Sequence, residues 1–141
     1  MTAADQSSVA LDAELSDTID SFDRAFSEGR LDEISALFAD DAQLLIHQQE
    51  TVTGREAIRT SFGQVFDQFD TSAYQPRYEI IDVRGNRAYV LVSFDEVLRP
   101  RDGQPGIRVR GRAVHFWRRE NGAWRIVMLL TGRSAPDEAE R

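Results

Sequence analysis

The sequence predicts an α+β fold in which three helices pack on one face of a curved antiparallel sheet. Apolar residues recur at spacings of three and four through the first half of the chain. After Pro76 the pattern changes to alternation at every second residue, which is the period of a strand. Helices that precede a run of hairpins are typical of α+β domains. The 141 residues are enough for one domain with a hydrophobic core.

The helices are predicted from their apolar stripes and their end signals. The first runs over residues 9–28, and Gly29 is its expected C-terminal stop. A short second helix buries Phe38, and a short apolar strand follows over residues 43–47. The third helix opens at Thr53, which forms a capping box with the glutamate three positions later.

Four antiparallel strands are predicted in the second half of the chain. Residues 78–84 and 87–98 form a hairpin, and a second hairpin lies within residues 107–133. Residues 1–8 and the acidic tail 134–141 are expected to be disordered. A single domain over residues 9–133 is therefore expected.

The second hairpin has the strongest local signal, because Asn121 and Gly122 tolerate the positive φ angles of a type I′ turn. A two-residue turn fixes the register and so predicts four opposed pairs on one apolar face: Arg119 with Trp124, Trp117 with Ile126, His115 with Met128, and Ala113 with Leu130. His115 is the ionisable group in the middle of that face.

Composition excludes several classes of function. The formal net charge of −7 argues against nucleic acid or an anionic membrane as a partner. The chain has no cysteine and only two histidines, so thiol chemistry is excluded and we do not expect a metal site. We see no signal peptide and no membrane-spanning run, and we expect a cytoplasmic protein.

Four stretches resemble the nuclear transport factor 2-like superfamily, the cone fold of ketosteroid isomerases and SnoaL-like polyketide cyclases. They are Phe-Ser-Glu-Gly-Arg-Leu at 26–31, Ile-Ser-Ala-Leu-Phe-Ala-Asp-Asp-Ala at 34–42, Thr-Gly-Arg-Glu-Ala-Ile-Arg at 53–59 and Asn-Gly-Ala-Trp-Arg-Ile-Val at 121–127. The resemblance covers residues 19–132. It implies a cone-shaped sheet with the helices on its concave face. It implies no single function, because this fold carries isomerases, dehydratases, hydrolases, cyclases and non-catalytic modules.

The resemblance removes one activity. The tyrosine that donates to the substrate oxygen in ketosteroid isomerases corresponds to Phe22, and their general-base aspartate corresponds to Ile46. Neither residue can transfer a proton, so we expect no ketosteroid isomerase activity. Their second oxyanion donor falls at His115, or at Val114 if the alignment has a one-residue gap. The hairpin register favours His115.

His115, Glu96 and Glu79 are the candidate catalytic residues, because all three are predicted to share the inner face. An imidazole can donate or accept a proton near neutral pH, and either glutamate could orient it or act as a base. The alternative for His115 is a core histidine satisfied by a backbone carbonyl or water. Both glutamates lie nearer the strand ends, where a solvated position at the rim is the alternative.

The predicted pocket is apolar and lies between the helices and the sheet. Its expected lining residues are Phe22, Ile46, Phe62, Trp117 and Met128. A pocket of this character suits a small hydrophobic ligand, polyketide- or terpenoid-like, and the resemblance implies a cofactor-independent isomerase or cyclase. The alternative is a non-catalytic association module, as in calmodulin-dependent kinases, with the cavity filled by its own side chains.

A homodimer is expected from the opposite face of the sheet. That face is predicted to carry a contiguous apolar patch of Tyr89, Leu91, Val114, Phe116, Val127 and Leu129. Monomers rarely expose such a patch, and members of the superfamily often pair through this face with two-fold symmetry.

Overall fold

A computed structural model describes residues 3–134, with side chains from residue 13 onward. The predicted disorder at residues 1–2 and 135–141 lies outside the described residues, and the domain limits 9–133 stay a prediction. The first helix begins at Ala3, earlier than predicted.

The three helices are α1 (Ala3–Glu28), α2 (Leu31–Ala36) and α3 (Arg55–Gln68). Gly29 ends α1 with a φ of 65°, as predicted for a left-handed C-terminal residue. The prediction of a capping box at the start of α3 is wrong, because Gly54 occupies the N-cap position and no side chain caps the helix. No helix within residues 3–134 is long and apolar enough to cross a membrane.

Six strands form one curved, unclosed sheet. They are β1 (Phe38–Ile46), β2 (Val52–Thr53), β3 (Phe69–Arg84), β4 (Arg87–Pro100), β5 (Ile107–Glu120) and β6 (Ala123–Arg133). Their spatial order is β2-β1-β6-β5-β4-β3. The α+β class is confirmed. The sheet is mixed, because β1 runs parallel to β6 while every other neighbouring pair is antiparallel.

Two strands begin earlier than the sequence pattern indicated. Phe38 starts β1 and does not belong to the second helix, because its backbone pairs with Ile126 on β6. Phe69 starts β3 directly after α3, and Pro76 lies inside that strand. Proline is tolerated there because β3 is an edge of the sheet, where a missing N–H breaks no ladder.

The hairpin turn is confirmed, but its predicted register holds only near the turn. Asn121 and Gly122 have φ angles of 49° and 79°. Trp117 pairs with Ile126 as predicted, and a bulge in β6 then shifts the register by one residue. His115 consequently lies opposite Leu129 rather than Met128, and Ala113 lies opposite Thr131 rather than Leu130.

The bulge exchanges the two faces of β6 beyond Ile126. Leu129 is only 5% exposed and belongs to the core, so its predicted place in the outer patch is wrong. Met128 pairs with Phe116 and Leu130 pairs with Val114, which places both on the outer face. A bulge acts in this way because one extra residue reverses the alternation of every side chain that follows.

The helices pack on the concave face of the sheet and enclose the core. Trp117, Trp124 and Ile126 are buried from the sheet side, while Leu15 and Ile58 are buried from α1 and α3. The outer face stays partly open to solvent, with Tyr89 and Phe116 about two-fifths exposed (38% and 40%). The fold therefore has a filled base of large side chains and a separate apolar outer surface.

Candidate ligand-binding cavity

An apolar cavity of about 200 Å³ lies between the helices and the concave face of the sheet. Helices α1 and α3 supply aromatic walls, and the strands supply the opposite wall. The residues that line it are Phe22, Phe26, Leu44, Ile46, Ser61, Phe62, Val65, Tyr74, Phe94, Glu96, Leu98, Ala113, His115, Leu129 and Thr131. Aromatic side chains thus surround the cavity without filling it.

His115 lies at the inner end of the cavity and is 2% exposed. Its ring centroid is 5.1 Å from that of Phe22 and 6.2 Å from that of Trp117. Its Nδ1 atom has no hydrogen-bond partner among the described residues. Burial disfavours the imidazolium and lowers the pKa of His115 to about 4, so the ring is neutral at pH 7.

Glu96 lies at the other end, where the cavity adjoins a more polar cleft. The cleft contains Arg133, and it shares five lining residues with the cavity: Ile46, Phe94, Glu96, Leu98 and Thr131. Burial raises the pKa of Glu96 to about 7, against a smaller lowering by Arg133. Its Oε2 atom is buried and has no partner among the described residues. A carboxyl group with a pKa in this range can act as an acid or as a base near neutral pH.

The structure places Glu79 away from the cavity, so its predicted inward orientation is wrong. A bulge in β3 lies between Tyr78 and Ile80, and Glu79 is the extra residue. Its Oε1 lies 3.5 Å from the Nη2 of Arg112. Arg112 is on the outer face, because it alternates along β5 with the buried Ala113.

Three of the five predicted pocket residues line the cavity, namely Phe22, Ile46 and Phe62. Trp117 and Met128 do not. Trp117 is buried in the core beyond His115, and Met128 lines a shallow depression on the outer face. Met128 faces away from the cavity because the bulge in β6 shifts the alternation by one residue. Leu129 lines the cavity in its place.

Tyr74 is a polar lining residue that the sequence pattern did not predict, as are Ser61 and Thr131. It lies on β3, in the part of that strand before Pro76 that was not predicted to be extended. Its pair across the ladder is Glu96. Burial is the main cause that raises the pKa of the Tyr74 hydroxyl, and the nearby carboxyls of Asp23 and Glu96 add to it. The alternation of Tyr74, Pro76 and Tyr78 was the available signal.

A second acidic group with a raised pKa, Asp23, is not among the residues that line the cavity. The Tyr78 hydroxyl donates to Asp23, with O–O distances of 2.7 Å to Oδ1 and 2.6 Å to Oδ2. Burial raises the pKa of Asp23 to about 6, although this hydrogen bond lowers it. The pair links α1 to β3. Within residues 3–134 no group of three or more histidine, aspartate or glutamate side chains is arranged to hold a metal ion.

The fold is that of the SnoaL-like, nuclear transport factor 2-like class. The sequence profile of the SnoaL-like domain matches residues 7–129, and the chain belongs to this family. No significant match was found among curated proteins.

Solved structures with low sequence identity share the fold. A ketosteroid isomerase-like protein from Erwinia carotovora atroseptica SCRI1043 is 13% identical, with a TM-score of 0.79 over 88% of this chain and 96% of its own. A protein from Novosphingobium aromaticivorans DSM 12444, provisionally named a scytalone dehydratase, is 17% identical, with a TM-score of 0.82 over 92% and 88%. A protein from Xanthomonas campestris, provisionally named a calcium/calmodulin-dependent protein kinase II association domain, is 18% identical, with a TM-score of 0.69 over 88% and 88%.

Proposed function

We propose that the chain is a cofactor-independent isomerase, cyclase or lyase that transfers a proton on a small hydrophobic substrate held in the cavity. One observation carries the proposal. Two buried polar atoms, Oε2 of Glu96 and Nδ1 of His115, lack partners among the described residues and belong to side chains that line the same apolar cavity. An unpaired buried polar atom costs about 1–3 kcal/mol, and a ligand that pairs with it recovers that cost.

The size of the cavity limits the substrate. A cavity of about 150 Å³ in another protein accommodates benzene. The 200 Å³ found here therefore suits a ligand of one or two rings. A polyketide- or terpenoid-like compound of that size fits the apolar walls, whereas a four-ring steroid does not.

The positions of the two polar groups suggest their roles. On β4, Val90 pairs with His115, and Glu96 lies six residues further along the same strand. The two side chains are therefore placed to contact opposite ends of a ligand. In a conjugated ketone, neutral His115 would donate to the carbonyl oxygen as negative charge develops. Glu96 would move a proton at the far end of the conjugated system, returning it to another carbon, so that no oxidant or cofactor is consumed.

The test is deuterium exchange in D₂O, because it detects proton transfer without knowledge of the natural substrate. We expect the wild-type protein to accelerate exchange of the γ protons of 3-methylcyclohex-2-enone above the rate in buffer. We also expect no turnover of a four-ring β,γ-unsaturated ketosteroid, because of the cavity volume and because Phe22 and Ile46 lack the necessary hydroxyl and carboxylate. Both reactions are followed by proton NMR. If the exchange rate with protein equals the rate in buffer alone for a panel of one- and two-ring enones, the proposed enzymatic activity is contradicted.

An association module is the second candidate function, and the outer face of the sheet favours it. Tyr89 pairs with Phe116, Phe116 with Met128, and Leu91 with Val114, which makes one apolar patch across three strands. Val127 lies beside this patch. Such a surface is typical of protein–protein interfaces. A dimeric enzyme is compatible with both proposals.

We therefore expect a homodimer that pairs through the outer face. Phe116→Arg places a charge at the centre of the patch and should shift the protein to monomer at micromolar concentration without loss of secondary structure. Sedimentation velocity measures the change. Ile107→Arg is the matched control, since Ile107 is equally exposed (44%) but lies at the far end of β5. A wild-type monomer at 10–100 µM would contradict the prediction.

A further inference from the structure

We infer that Tyr74 and Glu96 together form a hydroxyl-binding subsite. The natural ligand would then carry an oxygen at the Glu96 end of the cavity, where the polar cleft adjoins it. The inference rests on the proposed function and extends it to a chemical feature of the substrate. Both residues line the cavity, and they face each other directly across the β3–β4 ladder. Directly opposed side chains in an antiparallel pair have Cβ atoms about 5 Å apart.

The two groups offer complementary hydrogen-bonding capacity. The Tyr74 hydroxyl is a donor, and the carboxylate of Glu96 is an acceptor. A ligand hydroxyl between them can accept from Tyr74 and donate to Oε2 of Glu96, which has no partner among the described residues. Hydrogen bonds to an ionised carboxylate are about twice as strong as neutral ones.

Tyr74 is held in place by its ring and not by its hydroxyl. The Phe26 ring meets it edge-on at a centroid distance of 4.8 Å, and Phe94 lies at 6.2 Å. Within residues 3–134 we find no hydrogen bond from the Tyr74 hydroxyl. Tyr78, which follows four residues later on the same face of β3, donates its hydroxyl to Asp23. A packed ring with an uncommitted hydroxyl is suited to ligand recognition.

The inference is tested with two ligands that differ by one hydroxyl, 4-ethylphenol and ethylbenzene. Dissociation constants are measured by NMR titration for the wild type, Tyr74→Phe, His115→Leu and Tyr78→Phe. We expect Tyr74→Phe to raise the dissociation constant of 4-ethylphenol about five- to tenfold, which corresponds to the loss of one hydrogen bond. The dissociation constant of ethylbenzene should change less than twofold. Tyr78→Phe is the matched control and should leave the ratio of the two constants unchanged, because its hydroxyl is not part of the cavity lining.

The possible outcomes separate the inference from the proposed function. Equal effects on both ligands, or no effect of Tyr74→Phe, would overturn the inference while leaving the cavity as a ligand site. Loss of the hydroxyl preference in His115→Leu but not in Tyr74→Phe would place the oxygen at the inner end and would also overturn it. If neither compound binds the wild type, the cavity does not take ring compounds, and the proposed function fails together with the inference.

Discussion

Glu96→Gln should lower the rate of γ-proton exchange of 3-methylcyclohex-2-enone by a factor of 10² to 10⁴, which is the usual contribution of a general acid–base group. The amide keeps the shape and the hydrogen-bonding capacity of the side chain but cannot take up a proton. Ligand affinity should change much less than the rate. Exchange is measured by NMR under saturating enone, so that the chemical step is compared directly.

Glu79→Gln is the matched control for Glu96→Gln. Glu79 lies on the outer face beside Arg112, so its neutralisation should leave the exchange rate within twofold of wild type. Equal losses in the two variants would indicate an effect of net charge. A wild-type rate in Glu96→Gln would remove Glu96 from the mechanism.

The dependence on pH gives a second signature of Glu96. Its folded pKa of about 7 means that the rate should rise as pH increases through 7 and then level off, because the base form performs the abstraction. Since the pKa is raised on folding, the folded state binds the proton more tightly. The stabilising effect of this proton is present below the unfolded pKa of about 4.5 and is lost as pH rises through 7. Glu96→Gln should remove that part of the pH dependence of the free energy of unfolding.

His115→Leu is expected to slow exchange about a hundredfold while leaving the melting temperature unchanged or higher. Removing one donor to a developing oxyanion typically costs a factor of 10² to 10³. Leucine roughly preserves the volume and eliminates a buried nitrogen that has no partner among the described residues. If His115→Leu preserves or raises the melting temperature while exchange slows, ligand binding explains the presence of His115 better than packing does.

Trp117→Phe is the control for His115→Leu. Trp117 is buried next to His115 and also has an unpaired ring nitrogen among the described residues, but it does not line the cavity. The Trp117→Phe substitution should lower the melting temperature through lost packing and leave the exchange rate near that of the wild type. If His115→Leu behaves in the same way, His115 is a core residue.

In wild type, the lowered pKa of His115 predicts that stability is lost as pH falls from 6.5 towards 4, and this loss should be smaller in His115→Leu.

The spacing of apolar residues was sufficient to predict the fold class and several residues of the cavity lining. The change from helical to strand periodicity predicted the α+β order, and Asn121-Gly122 predicted the turn because both residues tolerate positive φ. The inward orientation of His115 followed from alternation along β5, which has no bulge of its own between that residue and Trp117. Local rules were sufficient wherever strand alternation continued without interruption.

Long-range strand pairing sets which residues of β3 and β6 face the cavity. A bulge follows Ile126 and another follows Tyr78, so Leu129 replaces Met128 at the cavity and Glu79 is excluded from it. The early start of β3, which places Tyr74 opposite Glu96, depends on pairing with β4. A bulge is stabilised by the curvature and pairing of the whole sheet and has little signal in the local sequence. Because one added residue reverses the face of all that follow, the composition of the site depended on contacts far apart in the chain.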